Sequence, residues 1–117
     1  MTNWILWNIR GISDRGSFAR LKALIREYRC PLVAILEPFV DADQIGSYAL
    51  RLGFSFYACN SNSKIWVFWH SSVNLHVLSS SEQALHGMVN SFTGDPVYCS
   101  FIYAKCNYVE RRALWSD

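Results

Sequence analysis

Asn8 ends the apolar run WILWN, and Glu37 follows the apolar run LVAIL. A carboxylate after such a run is costly to bury, so it must be neutral, paired, exposed at a strand end, or bound to a metal. A hard cation such as Mg2+ accepts one carboxylate with a neutral amide oxygen and keeps several waters. That chemistry suits Asn8 and Glu37 together if the fold brings them to one place. The plainer alternative is that Asn8 terminates a strand and Glu37 is a rim charge. Other reactive groups are sparse. Cys30, Cys59, Cys99 and Cys106 form no CxxC pair and have no histidine at metal-ligand spacing, so free thiols are expected. His70, His76 and His86 lie in or beside strand-like stretches and are expected to be structural or solvent-facing.

The elements that would position Asn8 and Glu37 are legible in the periodicity. Residues 3–9 read as a strand. Phe18, Leu21, Leu24, Ile25 and Tyr28 recur at helical spacing, with Ser17 as a candidate N-cap and Pro31 as the stop. PLVAILEPF fits a strand buried on both faces. A second helix is expected over about 42–52, capped by Asp41 or Asp43 and ended by Gly53. From Phe54 onward the period changes to two. FSFYAC, KIWVFWH and NLHVLSS read as strands split by NSNS and SSVN, and GMVNSF with PVYCSFIYA reads as a hairpin. NYVERRALWSD restarts a helical pattern. Both candidate residues then close strands separated by a helix, which is where open α/β sheets keep their ligands.

Composition sets the bounds. The 117 residues are 51% hydrophobic and 15% aromatic, enough for a real core and unlike a disordered chain. The net charge of +2 makes no case for or against a nucleic-acid partner. Residues 1–52 hold seven basic and five acidic residues, whereas 53–104 hold only Lys64, Glu82 and Asp95. A sheet so poor in charge is expected to be covered on at least one face. Arg20, Lys22, Arg26 and Arg29 either track a phosphate backbone or form a solvated helix face. Trp4, Trp7, Trp66 and Trp69 either stack on bases or pack a core, and their place in strands favours the core. No run reaches the ~18 apolar residues of a membrane span, and no secretory leader is visible. An intracellular chain with no membrane partner is expected.

WNIRG, a helix, LEP, and a later strand ending IYAKCNYVERRALW together resemble the endonuclease/exonuclease/phosphatase superfamily. The nearest likeness is to the apurinic-type endonuclease domain of plant LINE (non-LTR) retrotransposons. It covers nearly the whole chain, and SEQALHGMV also fits the stretch before that family's next strand.

The resemblance implies an α/β (α+β) fold: the N-terminal half of a two-sheet α/β sandwich, with one mixed sheet and two or three helices. It implies that Asn8 and Glu37 help hold Mg2+ or Mn2+ at a scissile phosphate, that Tyr103 lies against the phosphate or leaving group, and that DNA is the partner. Asn107 matches a DNA-contacting Asn at a spacing one residue longer than the family's. Arg10 stands where many repair members have Asp, a departure shared with the LINE branch, and is taken as a DNA contact. A nuclear location also follows from the resemblance.

The family's "GDFN"-type Asp and Asn follow the helix that begins here near Glu110, and its "SDH"-type Asp and His come later still; the 117 residues contain neither. The expectation is a single partial domain over 1–117, a remnant of a LINE-type Mg2+-dependent endonuclease, weak in metal affinity and inactive alone. The alternatives are a co-opted nucleic-acid- or protein-binding module and a half-enzyme completed by another chain. A truncated sandwich also predicts an apolar sheet face left exposed at KIWVFWH, where Ile65, Val67 and Trp69 alternate with Trp66 and Phe68, and self-association through it.

Overall fold

The structure, a computed structural model, describes residues 3–90 and 94–103. The first apolar run forms β1 (Trp4–Asn8), and LVAIL forms β2 (Leu32–Leu36). They pair in parallel from Trp4 opposite Leu32 to Asn8 opposite Leu36. The crossover between them is α1 (Arg15–Tyr28). This helix starts earlier than its apolar spacing suggests. Its N-cap is Asp14, whose carboxylate accepts the Ser17 N–H at 2.9 Å. Ser17 is therefore the residue being capped: its amide is one of the orphan donors of the first turn, and Asp14 satisfies it. Arg29 ends the helix in the left-handed conformation (φ 50°), one residue before Cys30 leads into Pro31.

The second helical stretch has two parts, a single 3-10 turn (Ala42–Gln44) and α2 (Ile45–Leu52). Asp41 stands at the N-cap of the 3-10 turn without a side-chain capping bond. Gly53 closes α2 at φ 88°, a conformation open to residues without a Cβ. β3 (Phe56–Cys59) and β4 (Ile65–Trp69) form an antiparallel hairpin, and β4 also pairs antiparallel with β2. The first sheet is thus mixed, in the order β1-β2-β4-β3.

The remaining strands do not extend that sheet. β5 (Leu75–Ser80), β6 (Ala84–Asn90) and β7 (Pro96–Ile102) form a second, antiparallel sheet in the order β5-β6-β7. The α+β class is as the sequence predicts, but the single mixed sheet expected from it is two sheets. A bulge between Val77 and Ser79 breaks the β5–β6 register, and Leu78 turns outward there, 56% exposed.

The two sheets explain why KIWVFWH is apolar on both faces. Trp66 and Phe68 join Val33 and Ile35 in a core with Leu21 of α1 and Tyr48, Ala49 and Leu52 of α2. Ile65, Val67 and Trp69 join Leu32 and Ala34 in a second core against Leu75, Leu85 and Phe101 of the second sheet. All five β4 residues are buried. The face expected to be exposed is therefore covered, and the expectation of self-association loses that basis. The reason is physical: a strand in the middle layer of three needs apolar side chains on both sides. Each large side chain so buried contributes ~1.5–3 kcal/mol. Trp66 and Trp69 pack in these cores, as their strand positions predict. Among the described residues no helix is long and apolar enough to cross a membrane.

Candidate functional site

At the C-terminal ends of β1 and β2 the chain leaves both strands and the two loops run side by side. Ile9 N–H donates to Leu36 O at 3.1 Å, Gly11 N–H to Glu37 O at 2.9 Å, and Ile12 N–H to Pro38 O at 3.0 Å. Glu37 N–H donates to Lys64 O at 2.9 Å, which ties the second loop to the β3–β4 turn. Pro38 is fully buried. This ladder forces unusual backbone. Arg10 (φ 50°), Glu37 (φ 54°) and Phe39 (φ 56°) all lie in the left-handed region, beside Gly11 at φ 116°. Side chains with a Cβ are strained there, and such residues persist where the surrounding structure over-determines them.

Three side chains meet on this end. The Tyr103 hydroxyl donates to Glu37 Oε1 at 2.8 Å, and Arg10 Nε lies 3.3 Å from Glu37 Oε2. Tyr103 reaches Glu37 because its own N–H donates to Gln83 O at 2.8 Å, prolonging the β6–β7 ladder past β7. Glu37 is mostly shielded, its side chain 14% exposed, while Arg10 is 60% exposed and reaches solvent. Asn8 closes β1 opposite Leu36. Strand alternation puts Asn8 on the face opposite Trp7, which packs toward the helices, and so on the side of the second sheet that carries Tyr103. Asn8 and Glu37, expected from their strand ends, and Arg10 and Tyr103, expected from the resemblance, therefore share one end of the sandwich. Asn107 lies outside the described residues.

The arrangement is a carboxylate with a donor on each oxygen, a guanidinium open to water, and an amide on the neighbouring strand. Among the described residues there is no group of three or more His, Cys, Asp or Glu that could hold a metal ion. The donor chemistry fits a largely hydrated Mg2+, which needs few protein oxygens, and does not fit a tight all-protein cage.

The other candidate groups lie elsewhere. His70 Nδ1 accepts the Ser72 N–H at 3.2 Å, at the opposite end of β4, and His86 Nδ1 pairs across strands with Ser100 Oγ at 2.7 Å. His76 is exposed on β5. Arg20, Lys22 and Arg26 are exposed on α1, which runs away from this end, and Arg29 is exposed at its C-cap. Cys30, Cys59 and Cys99 are free, and burial raises the Cys30 and Cys99 thiols above their ordinary pKa, which disfavours the nucleophilic thiolate.

Two further residues at this end carry no signal in the sequence pattern. Asn60, 3% exposed, is the buried polar residue among the described ones. Its Oδ1 accepts the Ile65 N–H at 2.9 Å, and its Nδ2 lies 3.0 Å from both Ser81 O and Glu82 O. It stitches the β3–β4 turn to the segment before β6, and so one sheet to the other at the Glu37 end. Its surroundings in NSNS read only as a turn. The second is Phe39, 61% exposed beside Glu37, whose place in LEPF signals nothing beyond the end of a strand.

No family model matches the chain, and no curated protein matches it either.

Proposed function

We propose that this end of the sandwich is the phosphate-and-metal half of a Mg2+-dependent phosphodiester endonuclease site of the LINE retrotransposon kind, and that the 117 residues alone do not cleave DNA. The observation that supports this best is the Tyr103–Glu37 hydrogen bond. It brings the ends of two different sheets onto a strained carboxylate at φ 54°.

Glu37 and Asn8 are the residues that would hold Mg2+ or Mn2+. Such an ion offsets charge on a phosphate and lowers the pKa of a bound water. The chain's own contributions are separable from it. Glu37 Oε1 fixes the Tyr103 hydroxyl, which keeps that phenol aimed at the space above the carboxylate. A phosphoryl oxygen arriving there competes with Glu37 for the hydroxyl's one hydrogen, and the phenol donates to it only by leaving Oε1. Arg10, exposed and paired with Glu37 through Nε, sets its positive charge where a phosphate would approach. Nothing beside Glu37 among the described residues supplies a histidine to act as general base. Lack of such a base typically costs a factor of ~10² to 10⁴ in rate.

One observation favours a second reading. Arg10 already balances the charge of Glu37, which suits a module that binds a phosphate backbone without a metal and without chemistry. Incubating the purified chain with supercoiled plasmid and Mg2+ or Mn2+, alongside a DNA-binding titration with and without the metal, tests both. The expected result is binding that metal strengthens, with no nicking above background. Nicking that disappears in Glu37→Ala would show a competent enzyme. Binding indifferent to metal and to Glu37→Gln would establish the metal-free module.

A further inference from the structure

We infer that Phe39 and Lys64 form a stacking platform for an unpaired nucleobase, set beside the Glu37 site so that the adjoining phosphate falls toward Arg10 and Tyr103. The inference rests on the reading of that site as one for a nucleic-acid phosphate.

Phe39 combines two unfavourable features. Its ring is 61% exposed, and its backbone is left-handed at φ 56°. An exposed apolar ring alone is ordinary. Here the flanking structure holds it outward: Pro38 before it is fully buried, and the Pro38 carbonyl accepts the Ile12 N–H at 3.0 Å. The ring is also flanked on two sides. A Cβ on Gly11 would sit 4.0 Å from Phe39 Cδ2, so one edge lies along the β1–α1 loop. Lys64 Nζ lies 5.6 Å from the ring centroid, within cation–π range.

Between them opens a cavity of about 540 Å3, lined by Phe39, Val40, Asp41, Asn62, Ser63 and Lys64. That volume lies within the ~300–1,000 Å3 usual for small-molecule sites. An aromatic ring with a flexible cation over it is a combination that holds single-stranded nucleic acid: the ammonium swings off to the backbone and the base takes its place on the ring. The occupant is therefore a single strand or a base freed from its pair. Asp41 also lines the cavity; its carboxylate disfavours a second phosphate there and accepts an N–H from a base edge, such as thymine N3–H.

Stacking on one aromatic is worth ~1–3 kcal/mol, or about 5- to 150-fold in Kd. The test is fluorescence anisotropy of a labelled oligothymidylate and of the same strand carrying abasic sites, at low salt and without metal. The unaltered chain should bind the strand with bases at least ~5-fold more tightly than the abasic one. Phe39→Ala should abolish that preference, Phe39→Trp should restore it, and Lys64→Ala should weaken both strands and flatten their salt dependence. Phe39→Gly relieves the left-handed strain, so it should raise the melting temperature while losing the preference, an outcome a merely structural Phe39 would reverse. If Arg10→Ala weakens binding and Phe39→Ala leaves the preference intact, the platform is wrong and the phosphate site stands. If neither strand binds the unaltered chain, both fall.

Discussion

Replacing Asn60 should cost more than its place in a serine- and asparagine-rich turn suggests. Its side chain is 3% exposed, and its Oδ1 holds the N–H of Ile65, a residue with no exposure at all. Its Nδ2 lies within 3.0 Å of three acceptors, Asn62 Oδ1, Ser81 O and Glu82 O, and its two hydrogens serve two of them at a time. In Asn60→Ala the Ile65 N–H is left buried without this acceptor, at ~1–3 kcal/mol. The two lost donors add ~0.5 kcal/mol each, the low end of the usual range, because Ser81 and Glu82 are exposed and water can replace the amide.

The sum is ~2–4 kcal/mol. For a domain of this size that lowers Tm by roughly 10–25 °C. Urea and thermal melts followed by circular dichroism read both quantities. Asn60→Asp separates the two parts. It keeps an acceptor for Ile65 but sets a carboxylate against the Ser81 and Glu82 carbonyls. Its folded-state pKa should therefore rise above the unfolded ~3.9. With the folded pKa raised, the native state binds more protons. The penalty is absent below about pH 4 and grows as pH rises toward the folded value. An Asn60→Ala protein within ~0.5 kcal/mol of the parent, or an Asn60→Asp deficit that does not change between pH 4 and 7, would refute the assignment of Asn60 as the tie between the sheets.

Asp14→Ala should shorten α1 and lower Tm, with Asp14→Asn retaining most of the cap; the Ser17 N–H lowers the Asp14 pKa, so the stabilisation is complete above the ordinary carboxylate value and disappears as pH falls through the folded one, and the parent and Asp14→Ala melts should converge in acid. Gly87→Ala should lower the urea midpoint by the equivalent of ~1–3 kcal/mol, because a Cβ there would lie 2.9 Å from Leu75 Cδ1 and 3.2 Å from the His76 carbonyl in the middle of the second sheet.

The sequence was most readable where one physical demand acted alone. LVAIL is a continuous apolar run because β2 lies between helices and a second sheet, and the pattern says so directly. Gly53 marks the end of α2 because left-handed backbone favours it. Reading failed where two demands produce one pattern. The double-sided apolarity of β4 looks the same whether its second face is exposed or covered; only the pairing of β5, β6 and β7 with one another decides it. The start of α1 leaves no periodic signal because Arg15 and Gly16 are not apolar, so the cap at Asp14 lies before the amphipathic pattern begins. Of the site, Asn8 and Glu37 were visible as strand ends, and Tyr103 and Arg10 through the resemblance. Phe39 and Asn60 were not, since solvent exposure and burial at single turn positions leave no periodic trace.

The hydrogen bond between Tyr103 and Glu37 joins residues 66 apart in the chain. Closing so long a loop carries an entropic cost that grows with its length, and nothing local rewards it in advance. Both sheets must dock before it forms, so it belongs to the last events of folding. Weakening it should hasten unfolding and leave the folding rate nearly untouched. In a chain emerging from the ribosome at ~5–20 residues per second, Asn8 and Glu37 are made seconds before β7 exists. Through that interval the carboxylate has no phenol to hold, and this end of the sandwich stays unassembled until β7 and Tyr103 follow.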